Sequence, residues 1–186
     1  MTITNVRGLR RMLPKTYDHR REVLSEVCTV LSQHQNLEAV IDKFVFNDGT
    51  VKNLMSLPGT VMVFYEGKRY YIPVCLWLNE CYPRSAPICY VKPTRDMMIV
   101  SSRHVNSNGR IMLPYLDEWR HTQCDLHSLV QVIMAVFSEV PPVCMRQVDC
   151  EITIFFTAGS VVEEFSHAIL DKDNNLLFCE NNETNC

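Results

Sequence analysis

The stretch Gly59-Thr-Val-Met-Val-Phe-Tyr-Glu-Gly-Lys-Arg-Tyr-Tyr-Ile-Pro-Val-Cys-Leu-Trp77 decides how this chain folds. β-Branched and aromatic residues crowd both sides of Glu66-Gly67. Two such runs around a short glycine-containing turn make an antiparallel hairpin. Upstream, Phe44-Val45-Phe46 ends at Asn47-Asp48-Gly49, where Asn and Gly tolerate positive φ, so a further strand and turn precede the hairpin. Downstream, Ile88-Cys-Tyr-Val91 is a short strand between Pro87 and Pro93, because proline removes a ladder donor least harmfully at strand ends.

Farther out, the pattern changes from period 2 to period 3.6. Between Asp18 and Leu31, residues Val23, Leu24, Val27, Cys28 and Leu31 share one helical face, and Asp18 is the expected N-cap. Pro14 separates this helix from a shorter turn around Arg7–Leu13. A second amphipathic helix is predicted from Asp125 to about Val140, stopped by Pro141-Pro142. The segment from Thr94 to Thr122 reads as a long irregular loop. Helix, strands, loop, helix is the order of an α+β domain: one antiparallel sheet with helices on one face or end.

The 186 residues suffice for one domain and a tail, with a core that needs neither metal nor disulfide. Nine cysteines are scattered without paired spacing, mostly in apolar stretches, and read as reduced thiols acting as small hydrophobes. The polar start lacks the apolar segment of a signal peptide, and the longest apolar run, Val132–Phe137, is far too short to span a membrane. This reads as a soluble cytoplasmic chain. The net charge of −3 conceals an asymmetry: residues 147–186 carry eight of the 21 acids but one of the 18 bases. No basic stripe interleaved with aromatics is present, which argues against nucleic acid. The expected division is a folded unit over residues 1–146 and a divergent acidic tail over 147–186, partly disordered. Within the tail, Cys150–Phe156 looks strand-like and Val161–Leu170 has a helical pattern.

Ordered matches along residues 6–146 resemble the ubiquitin-conjugating-enzyme variants, the UEV family. They include Phe46-Asn-Asp-Gly49, Leu57-Pro-Gly-Thr60, Tyr70-Tyr-Ile-Pro73, Tyr82-Pro83, Ala86–Thr94, Asn108-Gly-Arg-Ile111, Glu118-Trp119 and Glu139-Val-Pro-Pro142. The resemblance implies the ubiquitin-conjugating-enzyme-like fold and a chain without catalysis. Active enzymes of that fold place their cysteine where this chain has Met112, in Gly109-Arg-Ile-Met-Leu113. A thioether forms no thiolate and accepts no ubiquitin thioester. The upstream His-Pro-Asn step of the active enzymes is also replaced, by Arg103-His-Val-Asn106.

Two sites follow from the resemblance. Val45, Asn47, Asp48 and Tyr90 match positions that bind ubiquitin, with Tyr90 where the family usually has Phe. Read without the family, Asn47-Asp48-Gly49 is simply a turn. Thr60, Tyr65, Tyr70, Ile72, Thr94, Met97 and Val143 match an aromatic groove for Pro-(Thr/Ser)-Ala-Pro peptides. Without the family, Tyr65 and Tyr70 face each other across the hairpin as a packing pair. In the branch that sorts endosomal cargo, Asn, Phe and Ser stand where this chain has Tyr71, Cys144 and Met145. Loss of a groove aromatic and a hydroxyl is expected to weaken peptide binding.

The implied function is an adaptor for ubiquitinated cargo and proline-containing sorting factors, with ESCRT-I subunits as further partners. It would act in the cytoplasm, peripheral to endosomes, without cofactor, metal or membrane insertion. The alternative is an inactive partner subunit of an active conjugating enzyme. Residues 147–186 show neither the heptads that sorting members add nor the Gly-x-Gly-x-x-Gly of a dehydrogenase-like extension. His121, Cys124 and His127 supply too few ligands for a structural zinc site and read as helix-entry polar residues. Cys89 and Cys124 are conceivable displaced nucleophiles, and Cys150, His167 and Asp171 a paper triad. Such residues occur in almost any chain.

Overall fold

The computed structural model describes residues 6–146 and the backbone of Ile152 and Thr153. Helices α1 (Val6–Met12) and α2 (Arg20–Gln33) lead into strands β1 (Val40–Val45), β2 (Val51–Tyr65), β3 (Lys68–Leu78) and β4 (Ile88–Val91). Then follow β5 (Met97–Ile99), α3 (Pro114–Asp117), α4 (Leu126–Glu139), β6 (Val143–Arg146) and β7 (Ile152–Thr153). The first four strands form an antiparallel meander in sequence order, and β5, β6 and β7 form a small second sheet. The architecture is α+β, as the order of patterns predicts.

The β2–β3 hairpin is the spine. Its ladder runs from Met55↔Leu78 to Tyr65↔Lys68. Glu66 and Gly67, both at positive φ, close it, which matches the twist of the flanking strands. β3 alternates cleanly: Ile72, Val74, Leu76 and Leu78 enter the main core with α2 and α4. Cys75 and Trp77 point the other way, joining Leu54, Phe44, Phe46, Ile88 and Tyr90 in a separate cluster. The sheet is therefore apolar on both faces, thickly covered by helices on one and thinly on the other.

Both long helices exist as the periodicity predicts, with differences at their ends. Asp125 caps α4, its carboxylate accepting from the Ser128 amide at 2.7 Å. Asp18 does not cap α2. That place falls to His19, which makes no side-chain cap bond, while the Asp18 amide donates to the Glu80 carbonyl at 3.0 Å. The turn expected at Arg7–Leu13 is a two-turn helix, and the supposed loop of 94–122 contains β5 and α3. β5 is three residues long and needs β6, some 45 positions away, to exist, so local pattern carried little signal for it. The readings for Val161–Leu170 and for the remainder of the tail lie outside the described residues.

Tyr17 pins the sheet end. Its hydroxyl donates to the Leu78 carbonyl at 2.6 Å and accepts from the Met55 amide at 2.7 Å. Burial pushes the phenol up to about 12. Gly59 lets the loop after α2 cross β2: its φ is +150°, and a Cβ there would sit 2.0 Å from the Asn36 carbonyl oxygen. That crossing places the Asn36 oxygen 3.3 Å from the Thr60 amide.

Candidate binding surfaces

Asn47, Asp48 and Gly49 form the turn between β1 and β2. The Phe46 amide donates to the Thr50 carbonyl at 2.8 Å and the Gly49 amide to the Phe46 carbonyl at 2.9 Å. Asp48 Oδ1 accepts from the Thr50 amide at 2.8 Å. Those Thr50 bonds hold the carboxyl below the usual aspartate range, so the tip keeps its negative charge into mild acid. One carboxylate oxygen of Asp48 thus fixes the loop while the side chain stays exposed to solvent.

Beside the tip, Val45 and its partner Val51 lie past the edge of the core, 63% and 54% exposed. Tyr90 is on β4, three strands away, roughly 14 Å across the sheet. The structure thus gathers Val45, Asn47 and Asp48 but holds Tyr90 apart. What joins them is a row of aromatics on the thinly covered face. Phe46 meets Phe44 edge-on at 4.9 Å, Phe44 lies 5.1 Å from Trp77, and Lys92 covers Tyr90 at 5.2 Å. Phe44, Phe46, Trp77 and Ile88 are quoted as strand residues in the sequence but are absent from the ubiquitin-site set read there. The period-2 spacing of Phe44-x-Phe46 and Cys75-x-Trp77 was the signal for them.

Of the second candidate set, Tyr65, Tyr70 and Ile72 occupy the opposite side of the hairpin, whereas Thr60, paired with Pro73, alternates onto the face of Tyr71. Tyr65, Tyr70 and Met97 are half-buried against the main core. Tyr70 pairs with Val63 and Thr60 with Pro73, while Thr94 is exposed and its carbonyl accepts from the Met97 amide at 3.1 Å. Burial, then the Glu66 charge, raises the Tyr70 phenol, which stays a neutral hydroxyl at physiological pH. Ile72 and Val143 are 1% and 0% exposed. They form the floor under the tyrosines, not surface that a ligand touches. The Phe64 amide donates to Ser138 Oγ at 3.2 Å, fixing the hairpin tip to α4.

The departures noted in the sequence separate here. Met145 pairs with Met97, so it shares the groove side. Cys144 is fully buried, pairs with Met98 and leans on the Met98 carbonyl at 3.8 Å. Tyr71 is exposed and projects from the other face of β3 than Tyr70 and Ile72.

Met112 stands 38% exposed between the buried Ile111 and Leu113, its amide bonded to the His104 carbonyl at 2.8 Å. Nearby, Asn106 Oδ1 accepts from the Asn108 and Arg110 amides at 3.0 and 2.9 Å, so this side chain braces its own loop. Cys89 is buried, and burial raises its thiol strongly, which makes it a poor nucleophile. Among the described residues, no group of three or more His, Cys, Asp and Glu is placed to hold a metal ion. No helix among them is long and apolar enough to cross a membrane.

A four-stranded antiparallel meander with flanking helices defines a variant of the ubiquitin-conjugating fold. The family model described as UEV domain matches residues 9–145, and the chain belongs to that family. It is 44% identical over 151 residues to the tumor susceptibility gene 101 protein of Homo sapiens, covering 81% of this chain and 38% of that protein. To ubiquitin-conjugating enzyme E2 variant 3 of Danio rerio it is 33% identical over 138 residues, covering 74% of this chain and 29% of that one. The chain spans less than two fifths of the length of these relatives. Two solved structures of a Vps23 UEV domain, the first from yeast, resemble it. One, in complex with a Vps27 PSDP peptide, has TM-score 0.67 and 28% identity over 73% of this chain and 92% of that one. The other, in complex with ubiquitin, has TM-score 0.61 and 26% identity over 72% and 93%.

Proposed function

We propose that this chain is a non-catalytic adaptor that binds ubiquitin and Pro-(Thr/Ser)-Ala-Pro-type peptides at two separate surfaces. Ubiquitin contacts Val45, Asn47, Asp48 and Tyr90, with the aromatic row continuing the surface between the tip and β4. The observation that carries this reading is the exposed Val45–Val51 pair beside a charged, structurally fixed turn. Exposed apolar side chains next to fixed polar groups suit a modest, reversible interface. The peptide lies against Thr60, Tyr65, Tyr70, Thr94 and Met97, over the floor of Ile72 and Val143. Tyrosine faces accept a preformed polyproline II turn at low entropic cost. The Vps23 complexes with ubiquitin and with a PSDP peptide support both assignments.

Catalysis is absent because Met112 offers no thiolate and Asn106 is committed to its loop. The adaptor unit ends near Arg146, and the acidic tail is a separate addition. The setting is cytoplasmic, at endosomes, in sorting of the ESCRT-I type, with ESCRT-I subunits as further partners.

Titration of isotope-labelled ubiquitin with the 186-residue chain tests the first half. Amide shifts confined to one apolar face of ubiquitin, lost with Val45→Asp, are expected. Absence of shifts at high protein concentration would leave a UEV fold without ubiquitin recognition.

A further inference from the structure

Away from both surfaces, α1 and α2 leave between them a groove of about 710 Å³, lined chiefly by Val6, Arg10, Arg20, Arg21, Leu24 and Cys28. It is an apolar trough rimmed by guanidinium groups. Arg20 is spent on structure, donating to the carbonyls of Leu13, Pro14 and Arg10. Arg10 and Arg21 have no carboxylate partner among the described residues, where the ion pairs are His19–Glu22 and Lys52–Glu80. Val6 is 56% exposed on the wall. Two arginines without a carboxylate partner, beside an exposed valine and a half-buried cysteine, call for an acidic, amphipathic occupant.

The chain carries one. Residues 147–186 hold eight acids and one base. Within them, Val161-Val-Glu-Glu-Phe-Ser-His-Ala-Ile-Leu170 sets Val161, Phe165, Ala168 and Ile169 at helical spacing, with Glu164 beside that stripe. Eight residue steps separate Thr153 from Val161, a reach of up to about 27 Å on a domain roughly 40 Å across. Tethering sets an effective concentration of order millimolar, enough for a contact too weak to form between separate molecules.

We propose that residues 161–170 dock into the α1–α2 groove of their own chain. Their apolar side covers Val6 and Cys28 over a floor that includes Leu24, and Glu164, at the margin of that stripe, faces Arg10 and Arg21. The docked segment closes this face to other partners while leaving the ubiquitin and peptide surfaces open.

Cys28, half-buried in the groove, reports on occupancy, and the exposed Cys81 serves as reference. The alkylation rate of Cys28 relative to Cys81 is measured by peptide mass spectrometry on the dilute 186-residue protein. It is compared among the wild type, E164R, R10E/R21E and the combined E164R/R10E/R21E swap. E164R and R10E/R21E are each expected to raise the Cys28 rate roughly three- to fivefold, the range exposed ion pairs allow. The combined swap should bring it back toward the wild-type value, which mere destabilisation of α2 would not do. Equal rates in all four proteins, or acceleration without rescue in the combined swap, would overturn the proposal. Protection that rises with protein concentration would place a second copy in the groove and overturn it equally.

Discussion

On the reading that Met112 fills a nucleophile's position, replacing it with cysteine puts a thiol at a place already exposed to solvent. Activity should not return with it. A thiol at its ordinary pKa is mostly protonated at neutral pH, and the oxyanion of the tetrahedral intermediate still lacks its donor. Asn106 is held in place by the Asn108 and Arg110 amides that its oxygen accepts. Met112→Cys, incubated with activating enzyme, ATP and ubiquitin, is therefore expected to show no reducible adduct on a non-reducing gel. A thioester formed on the time scale of an active conjugating enzyme would mean that the surrounding loop is catalytically competent. Residue-scale reading of the sequence worked where a side chain's own chemistry decides its place, as at Cys75 and Cys89, read as small hydrophobes and found buried. It worked less well where burial decides the role. Ile72 and Val143 look like site residues in a list of matches, yet lie under the surface. Exposure depends on what packs above a residue, and no single position records that.

At the scale of elements, the legible parts were those whose own period fixes them. The β2–β3 hairpin and α4 carry 11 to 15 residues rich in β-branched and aromatic side chains or set at helical spacing. β5 and β6 are short and exist through each other, so their register was hidden, and with it the fact that Met145 rather than Cys144 accompanies Met97. That register makes Met145→Ser the informative change. A hydroxyl beside Met97 should add one hydrogen bond to a bound Pro-Thr-Ala-Pro peptide, about 0.5–1.5 kcal/mol, or roughly two- to tenfold in Kd by calorimetry. An unchanged or weaker Kd would remove Met145 from the groove. A second element-level prediction concerns the junction of α2 and α4. The rings of His34 and His127 lie 5.5 Å apart, and His34 Nε2 and His127 Nδ1 are buried without a hydrogen-bond partner among the described residues. Burial, then His127, lowers the His34 pKa. The unfolded chain, near 6.5, therefore binds the proton more readily than the folded one. The contribution is complete above about pH 7 and is lost as pH falls below roughly 6.5 through the folded value. Wild-type Tm should thus fall faster than that of His34→Gln between pH 7 and 5. Parallel Tm curves would show that His34 protonates freely in the fold.

The whole molecule is a sheet with an apolar side chain set on each face, and this arrangement separates its two candidate surfaces. The aromatic row from Phe46 to Tyr90 belongs to the thinly covered face, whereas Tyr65, Tyr70 and Met97 pack on the core side with α4 beneath the hairpin tip. Between them runs a ladder of β2 and β3 whose pairs are fixed from Met55 to Tyr65. Coupling between two sites requires an element with two arrangements that both ligands bias. A continuous antiparallel ladder, pinned at one end by Tyr17 and at the other by Ser138, offers no second arrangement to select. The two partners should accordingly bind independently. Saturating ubiquitin is expected to change the Kd of a proline-containing peptide by less than about twofold, a coupling under about 0.4 kcal/mol. Val45→Asp should abolish ubiquitin shifts and leave peptide affinity where it was, while Tyr70→Ala should do the reverse. A larger reciprocal change in both affinities would mean that the ladder does shift, and that one surface reads the occupancy of the other.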